Sequence, residues 1–279
     1  MKRTPRARKK RTPKTTGGES GAMLSLLAQM EDTEDTDLAQ AQDIAWDAWD
    51  TGGKRKRLSL ARKALKISPL CADAYVILAE DARTTEDALA LCRAGVEAGE
   101  KALGRNAFRD DVGHFWGILE TRPYMRARHG LAMRLWKTGA HDEAIAHYRA
   151  LLRLNPNDNQ GIRYLLLDCH LILGRDDDAQ KLVRRYRNDG ATEWLWSVAL
   201  LGFRREGDTQ NVRQALQRAA SENRYVRDYL LGRKKIPQTL SAYVSWGSKE
   251  EAQSYVGHSG AEAWAAASGA IAWAEKVLG

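Results

Sequence analysis

The chain has 279 residues, 43% of them apolar, with six prolines and three cysteines. No run approaches 18 consecutive apolar residues, which excludes a transmembrane helix, and three scattered cysteines exclude a disulfide framework and suit a reducing, cytoplasmic setting. The formal charge of +8 belongs to the first 18 residues, which carry eight Lys and Arg and no acid; the remainder has 36 charges of each sign.

Residues 1–22 are expected to be a disordered basic tail, because blocks of like charge repel and stay unfolded. Arg6, Arg8, Lys9, Lys10 and Arg11 are its candidate anion contacts, and non-specific nucleic-acid binding by counterion release is the alternative function it suggests. "AMLSLLA" (22–28) is too short for the apolar region of a secretory signal. It leads into an acidic linker at 23–37.

A repeat array is expected over 38–232. The first unit, about 38–69, reads "AWDAWDTGG" and then "LSLARKALKISP", with Trp46 and Trp49 as packing residues. "TGGKRKR" (51–57) fails as a phosphate loop, since Ala48 stands where its first glycine should be and Arg55 replaces the Ser or Thr. A second helix pair spans 71–103, with Thr84 and Asp87 forming a helix-start cap. "GHFWGILETRP" (113–123) is a turning insert, packed through Trp116, Ile118 and Leu119, with Pro123 suited to the first turn of the next helix. Glu120, Arg122, Arg126 and Arg128 are expected to satisfy one another and the helix ends.

The clearest unit is 125–156. Leu131, Ala132 and Leu135 share one helix face, Gly139 makes the turn, Ala144 and Tyr148 lie one turn apart, and Pro156 ends the unit. Gly139, Gly174 and Gly207 each close an apolar helical segment, at separations of 35 and 33 residues, close to the 34-residue tetratricopeptide period. Strand alternation is absent. The fold class predicted is all-α: a tetratricopeptide-like solenoid of antiparallel helix pairs, ended by a helical capping segment at 233–279.

"CADAYVILAEDARTTEDALALCRAGVEAGE" and "RPYMRARHGLAMRLWKTGAHDEAIAHYRALLRLNP" resemble the core of the suppressor of tumorigenicity 7 family and its bacterial tetratricopeptide-like relatives. "ALQRAASENRYVRDYLLGRKKIP" and "SKEEAQSYVGHSGAEAWAAASGAIAW" are similar to that family's C-terminal segment. The resemblance covers roughly 40–278. It implies an α-helical repeat protein without established enzymatic activity, so no catalytic residue is carried over. The animal members have hydrophobic segments near the N-terminus where this chain has a basic tail, so no membrane partner is expected. The family's proline before "YLL" is also missing, and the step reads Asn223-Arg224-Tyr225.

Chemistry-bearing patterns are sparse. His114, Glu120 and Arg122 sit close in sequence, but no nucleophile accompanies them. There is no G-x-G and no H-E-x-x-H, and His141 and His147 are six apart, off a common helical face. Cys71, Cys92 and Cys169 read as packing residues. No catalytic group, cofactor or metal is therefore expected. Trp136-Lys137 and "RRYR" (184–187) are weak candidates for base stacking. The function read from this is a non-enzymatic scaffold that takes a protein, peptide or partner helix in a concave groove. Helical spacing groups Arg126, His129, Met133 and Lys137 on one face, and Arg163 and Tyr164 are candidates from the next unit. The arginines suit a carboxylate-bearing ligand, and His129 is expected to titrate near 6.5.

Overall fold

The computed structural model describes residues 36–279; the tail residues named above, Arg6 to Arg11, lie outside them. Among the described residues every regular element is helical. Five antiparallel pairs follow one another. They are α1 (36–50) with α2 (Lys54–Ile67), α3 (Ala72–Glu80) with α4 (Thr85–Asp110), α5 (Arg122–Lys137) with α6 (His141–Leu154), α7 (Ile162–Ile172) with α8 (Asp176–Arg185), and α9 (Thr192–Glu206) with α10 (Gln210–Glu222). Successive pairs pack through α2 on α3, α4 on α5, α6 on α7 and α8 on α9, and the first helices of the pairs form the inner face, with α3 against α5 and α7 against α9.

The turns between partners have a local cause. Gly139 and Gly174 are left-handed, at φ 82° and 70°. In both turns the amide after the glycine returns to a carbonyl five residues back: Ala140 to Leu135 at 2.9 Å and Arg175 to His170 at 2.8 Å. This is the Schellman closure, which only a residue without a Cβ adopts cheaply. Gly207 works one position earlier, as the C-cap of α9, and Thr209 then caps α10 by accepting from the Val212 amide. That change accounts for one of the two residues by which the second glycine interval is shorter.

The core is continuous from α3 to the C-terminus, with an alanine-rich cluster joining α1, α2 and α3 through Ala41, Ala45, Ala61, Ala64 and Ile77. Small side chains set close approach. Gly99 of α4 lies so near Tyr124 of α5 that an added Cβ would stand 2.9 Å from its Cβ and 3.1 Å from its Cα. The third pair buries Leu131, Ala132, Leu135, Ala144 and Tyr148 as its periodicity predicts, and the Thr84 hydroxyl accepts from the Asp87 amide at 3.0 Å. The three cysteines are buried and unpaired.

The insert between α4 and α5 differs from expectation. Its anchor is Phe115, fully buried against Phe108 and close to Tyr124, whereas Leu119 is 58% exposed. The charged residues around it do not satisfy one another. Arg122 donates to the Trp116 carbonyl, Arg126 to Asp73 and Arg128 to the Tyr124 hydroxyl, and Glu120 is exposed. Trp46 is likewise 48% exposed, so only Trp194 and Trp196 of the two tryptophan pairs are fully packed.

Beyond α10 the chain makes a short helix, α11 (Val226–Leu230), and then runs without helix from 231 to 248, where Gly232, Pro237 and Gly247 interrupt any helical period. It returns as α12 (Lys249–Tyr255), a π-turn (Val256–Gly260), α13 (Ala261–Ala265) and α14 (Ala270–Leu278). These fold back over the array: α12 on α9, α13 on α7, α14 on α9 and α10. Trp264 is fully buried, edge-on to Trp196 at 5.9 Å, and donates to the Tyr255 hydroxyl at 3.0 Å. At the step that lacks proline, Asn223 makes the turn instead. Its Oδ1 accepts from the Tyr225 amide, and its Nδ2 reaches Ser248 O at 2.9 Å and Glu251 at 3.0 Å.

Candidate functional site

The inner face has two halves in different states. Over α7 and α9 it is covered by the chain's own C-terminal helices. Over α1, α3 and α5 it is an open groove with a cavity of about 780 Å³.

One wall of the groove is α5. Its core stripe, including Leu131 and Leu135, faces inward, so the stripe at the complementary spacing, Arg126, His129, Met133 and Lys137, is left along the cavity. Val76, Ala79 and Glu80 of α3 form the second wall, and Trp49 of α1 closes one end. The groove is held by a polar chain across three helices. Gln42 donates to Asp73 at 2.6 Å, and Arg126 grips both carboxylate oxygens of Asp73 at 2.8 and 2.5 Å while lying 5.0 Å over the Trp49 ring. Asp73 is fully buried, so this fork neutralises a charge that would otherwise be costly to bury. Arg126 is thus a structural wall of the groove, its carboxylate already supplied from within the chain.

His129 is mostly enclosed and its Nε2 has no hydrogen-bond partner. Burial holds its pKa below the ordinary imidazole value, which displaces the titration expected near 6.5 to more acid pH. Met133 is 38% exposed and offers a soft apolar surface. The charges at the mouth are Arg83, Arg134 and Lys137 against Glu80. Arg134 donates to the carbonyls of Ala79 and Gly130, with no carboxylate among its bonds. The groove is therefore apolar at its floor and net basic at its rim.

Arg163 and Tyr164 do not join this groove. Arg163 is held by Asp158 at 2.9 Å and Asp189 at 2.5 Å and packs 4.2 Å over the Tyr164 ring. Both line a separate cavity of about 530 Å³ whose other wall is the C-terminal segment, at Ser254, His258 and Ser259. The return of that segment across α7 separates the two sets, and no local spacing signals it. In this second cavity Asp168 is buried and accepts from Ser259 and Ser197. Burial raises Asp168 to about 6. Glu193 is pushed up to about 8 by burial and by Asp168, Glu251 and Asp189. Among the described residues, no group of three or more His, Cys, Asp or Glu is placed to hold a metal ion.

The stacking candidates resolve differently. The Tyr186 ring lies 5.6 Å from the Arg163 guanidinium and 5.3 Å from that of Arg185, and edge-on to Trp194. Trp136 is packed 4.2 Å from His141.

Residues 135–196, from the end of α5 to the start of α9, match the model of a tetratricopeptide repeat family. The fold is tetratricopeptide-like. Among solved structures the chain is similar to YrrB, described as a TPR protein with an unusual peptide-binding site, at 13% identity and a TM-score of 0.48, over 65% of this chain and 84% of that one. No helix among the described residues is long and apolar enough to cross a membrane.

Proposed function

We propose that this protein is a non-enzymatic interaction scaffold whose groove over α1, α3 and α5 takes a peptide or partner helix. One observation carries the reading: the inner face is open there and covered by the chain's own helices over α7 and α9. An inner face that is filled in cis at one end has the geometry to be filled in trans at the other. The lining sets the ligand's chemistry. Met133, Val76 and the Trp49 ring accept an apolar side chain, and Lys137, Arg83 and Arg134 favour a neighbouring carboxylate. Kinship with the suppressor of tumorigenicity 7 family is part of the same proposal, and rests on the residues quoted for it.

The test is binding of fluorescent peptides that pair a bulky apolar residue with acids, against lysine-substituted counterparts. Met133→Glu with Lys137→Glu should lower affinity for the acidic set at least tenfold without moving the melting temperature. Unchanged affinity in that double variant would remove the groove from consideration.

A further inference from the structure

The outer face of the array carries a charge pattern that the balanced sequence conceals. In α6 and α8 the acids sit in the first turn, at Asp142 and Glu143 and at Asp176, Asp177 and Asp178, and the cations follow. This order suits each helix dipole. As second helices of successive pairs the two run in the same direction, so their cationic halves lie side by side.

Between them is a cavity of about 290 Å³, bounded by Arg149 on α6, Lys181 and Arg185 on α8, and His170 of α7. Most first-turn acids are engaged elsewhere: Asp142 with Arg175 at 2.6 Å, Asp176 with Arg204 at 2.9 Å, Asp177 with Arg205 at 2.8 Å. Only Asp178 reaches the cavity, holding Arg149 and Lys181 at 3.0 and 3.1 Å. Arg153, one turn beyond Arg149, and Arg184 and Arg187 are exposed, with no hydrogen bond or ion pair among the described residues. His170 is 1% exposed, and its Nδ1 has no partner. Burial, with Arg149, Arg175 and Lys181 nearby and Asp178 opposing, lowers its pKa to about 4, so at neutral pH it is uncharged. Arg185 also borders a second cavity of about 670 Å³ with Arg187; its acid, Asp189, is engaged by Arg163 at 2.5 Å, so the uncompensated cations continue past the end of α8 through Arg187.

We infer that this strip on α6 and α8 binds the phosphate backbone of nucleic acid without reading sequence. Its extent favours a polymer over a single phosphate group. Lys181 to Arg185 spans roughly 6 Å at the helical rise, Arg187 follows in the turn after α8, and the cations continue across two cavities that share Arg185. Base readout is not built in, because the one aromatic ring on the strip, Tyr186, is already packed by Arg163, Arg185 and Trp194.

The experiment uses the full chain and a fluorescein-labelled single-stranded DNA of mixed sequence, titrated over a series of salt concentrations. Single strands lose affinity with a log–log slope of about −0.7 per phosphate contact. Arg153→Glu, Arg184→Glu and Arg187→Glu together should therefore make the slope shallower by roughly 2. A chain in which the eight tail Lys and Arg become Ser should keep that part of the slope, and should lose it when the triple reversal is added. If the reversals lower the melting temperature, the Gln versions at the same positions serve instead. A triple variant with the wild-type slope, or a tail-neutralised chain with no salt-dependent binding, would overturn the inference. So would a phosphoserine peptide that displaces the DNA at stoichiometric concentration, since a single phosphate would then suffice.

Discussion

Arg126 and Asp73 form a two-bond fork across 53 residues of sequence, and the carboxylate is completely buried. With Gln42 on the same carboxylate, α1, α3 and α5 are fixed in one arrangement by a single charge. Arg126→Ala leaves that charge enclosed with an amide as its remaining side-chain donor. Loss of one partner of such a pair costs about 3 kcal/mol or more. Urea unfolding should show this destabilisation, and Asp73→Asn with Arg126→Met should recover part of it. An Arg126→Ala protein as stable as wild type would mean that the fork contributes nothing to the groove's frame.

Gly99 offers a sharper probe of packing. The clash of an added Cβ is with backbone as well as side chain of Tyr124, which cannot swing aside. Gly99→Ala should separate α4 from α5 and destabilise by about 1–3 kcal/mol, despite alanine's better helix propensity. Gly117→Ala, where nothing lies within 4 Å of the new methyl, is the control and should be silent. Equal melting temperatures for the two variants would show that the α4–α5 contact is looser than described.

Much of the fold was legible because its determinants are local. Gly139 and Gly174 close their helices through bonds within six residues, and the stripe Leu131, Ala132 and Leu135 has one buried side by geometry alone. The grouping of Arg126, His129, Met133 and Lys137 along one wall follows from the same period. What escaped is non-local. Nothing in the spacing of Arg126 reveals Asp73, and nothing near Arg163 reveals that Ser259, 91 residues after Asp168, returns to cover α7. The insert escaped for a third reason: without a period, Phe115 and Leu119 are equal candidates for burial, and only the aromatic pocket of Phe108 and Tyr124 decides between them.

The return of the C-terminal segment depends on Trp264. It is fully buried, and it bonds Tyr255 from α12 while packing on Trp196 of α9. Trp264→Ala should cost about 3–5 kcal/mol and undock the helices that cover α7 and α9. Hydrogen exchange should then rise selectively at 249–278 and along α7, with α3 to α5 unaffected. Uniform acceleration throughout the chain would mean that the segment and the array unfold as one unit.

The same interface has a pH dependence with a definite sign. Glu193 has its folded pKa raised to about 8, chiefly by burial and then by Asp168, Glu251 and Asp189, with Arg163 opposing. A carboxyl whose folded pKa exceeds its unfolded value near 4.3 binds more protons when folded. Its contribution to stability is therefore present at acid pH and lost as pH rises towards 8. Asp168, raised to about 6, acts in the same direction over a lower window. His170, lowered to about 4, acts oppositely, but only below about 6.5. Between pH 6.5 and 8 Glu193 therefore dominates, and wild-type stability should fall across that interval by about 1–2 kcal/mol. Glu193→Gln keeps the shape of the protonated acid and removes the titration. Its melting temperature should come closest to wild type below about pH 4.3, exceed it by a growing margin as pH rises to 8.5, and itself change little between pH 6.5 and 8.5. If the difference between the two proteins is the same at pH 5 and pH 8.5, the carboxyl of Glu193 is not held protonated by this interface.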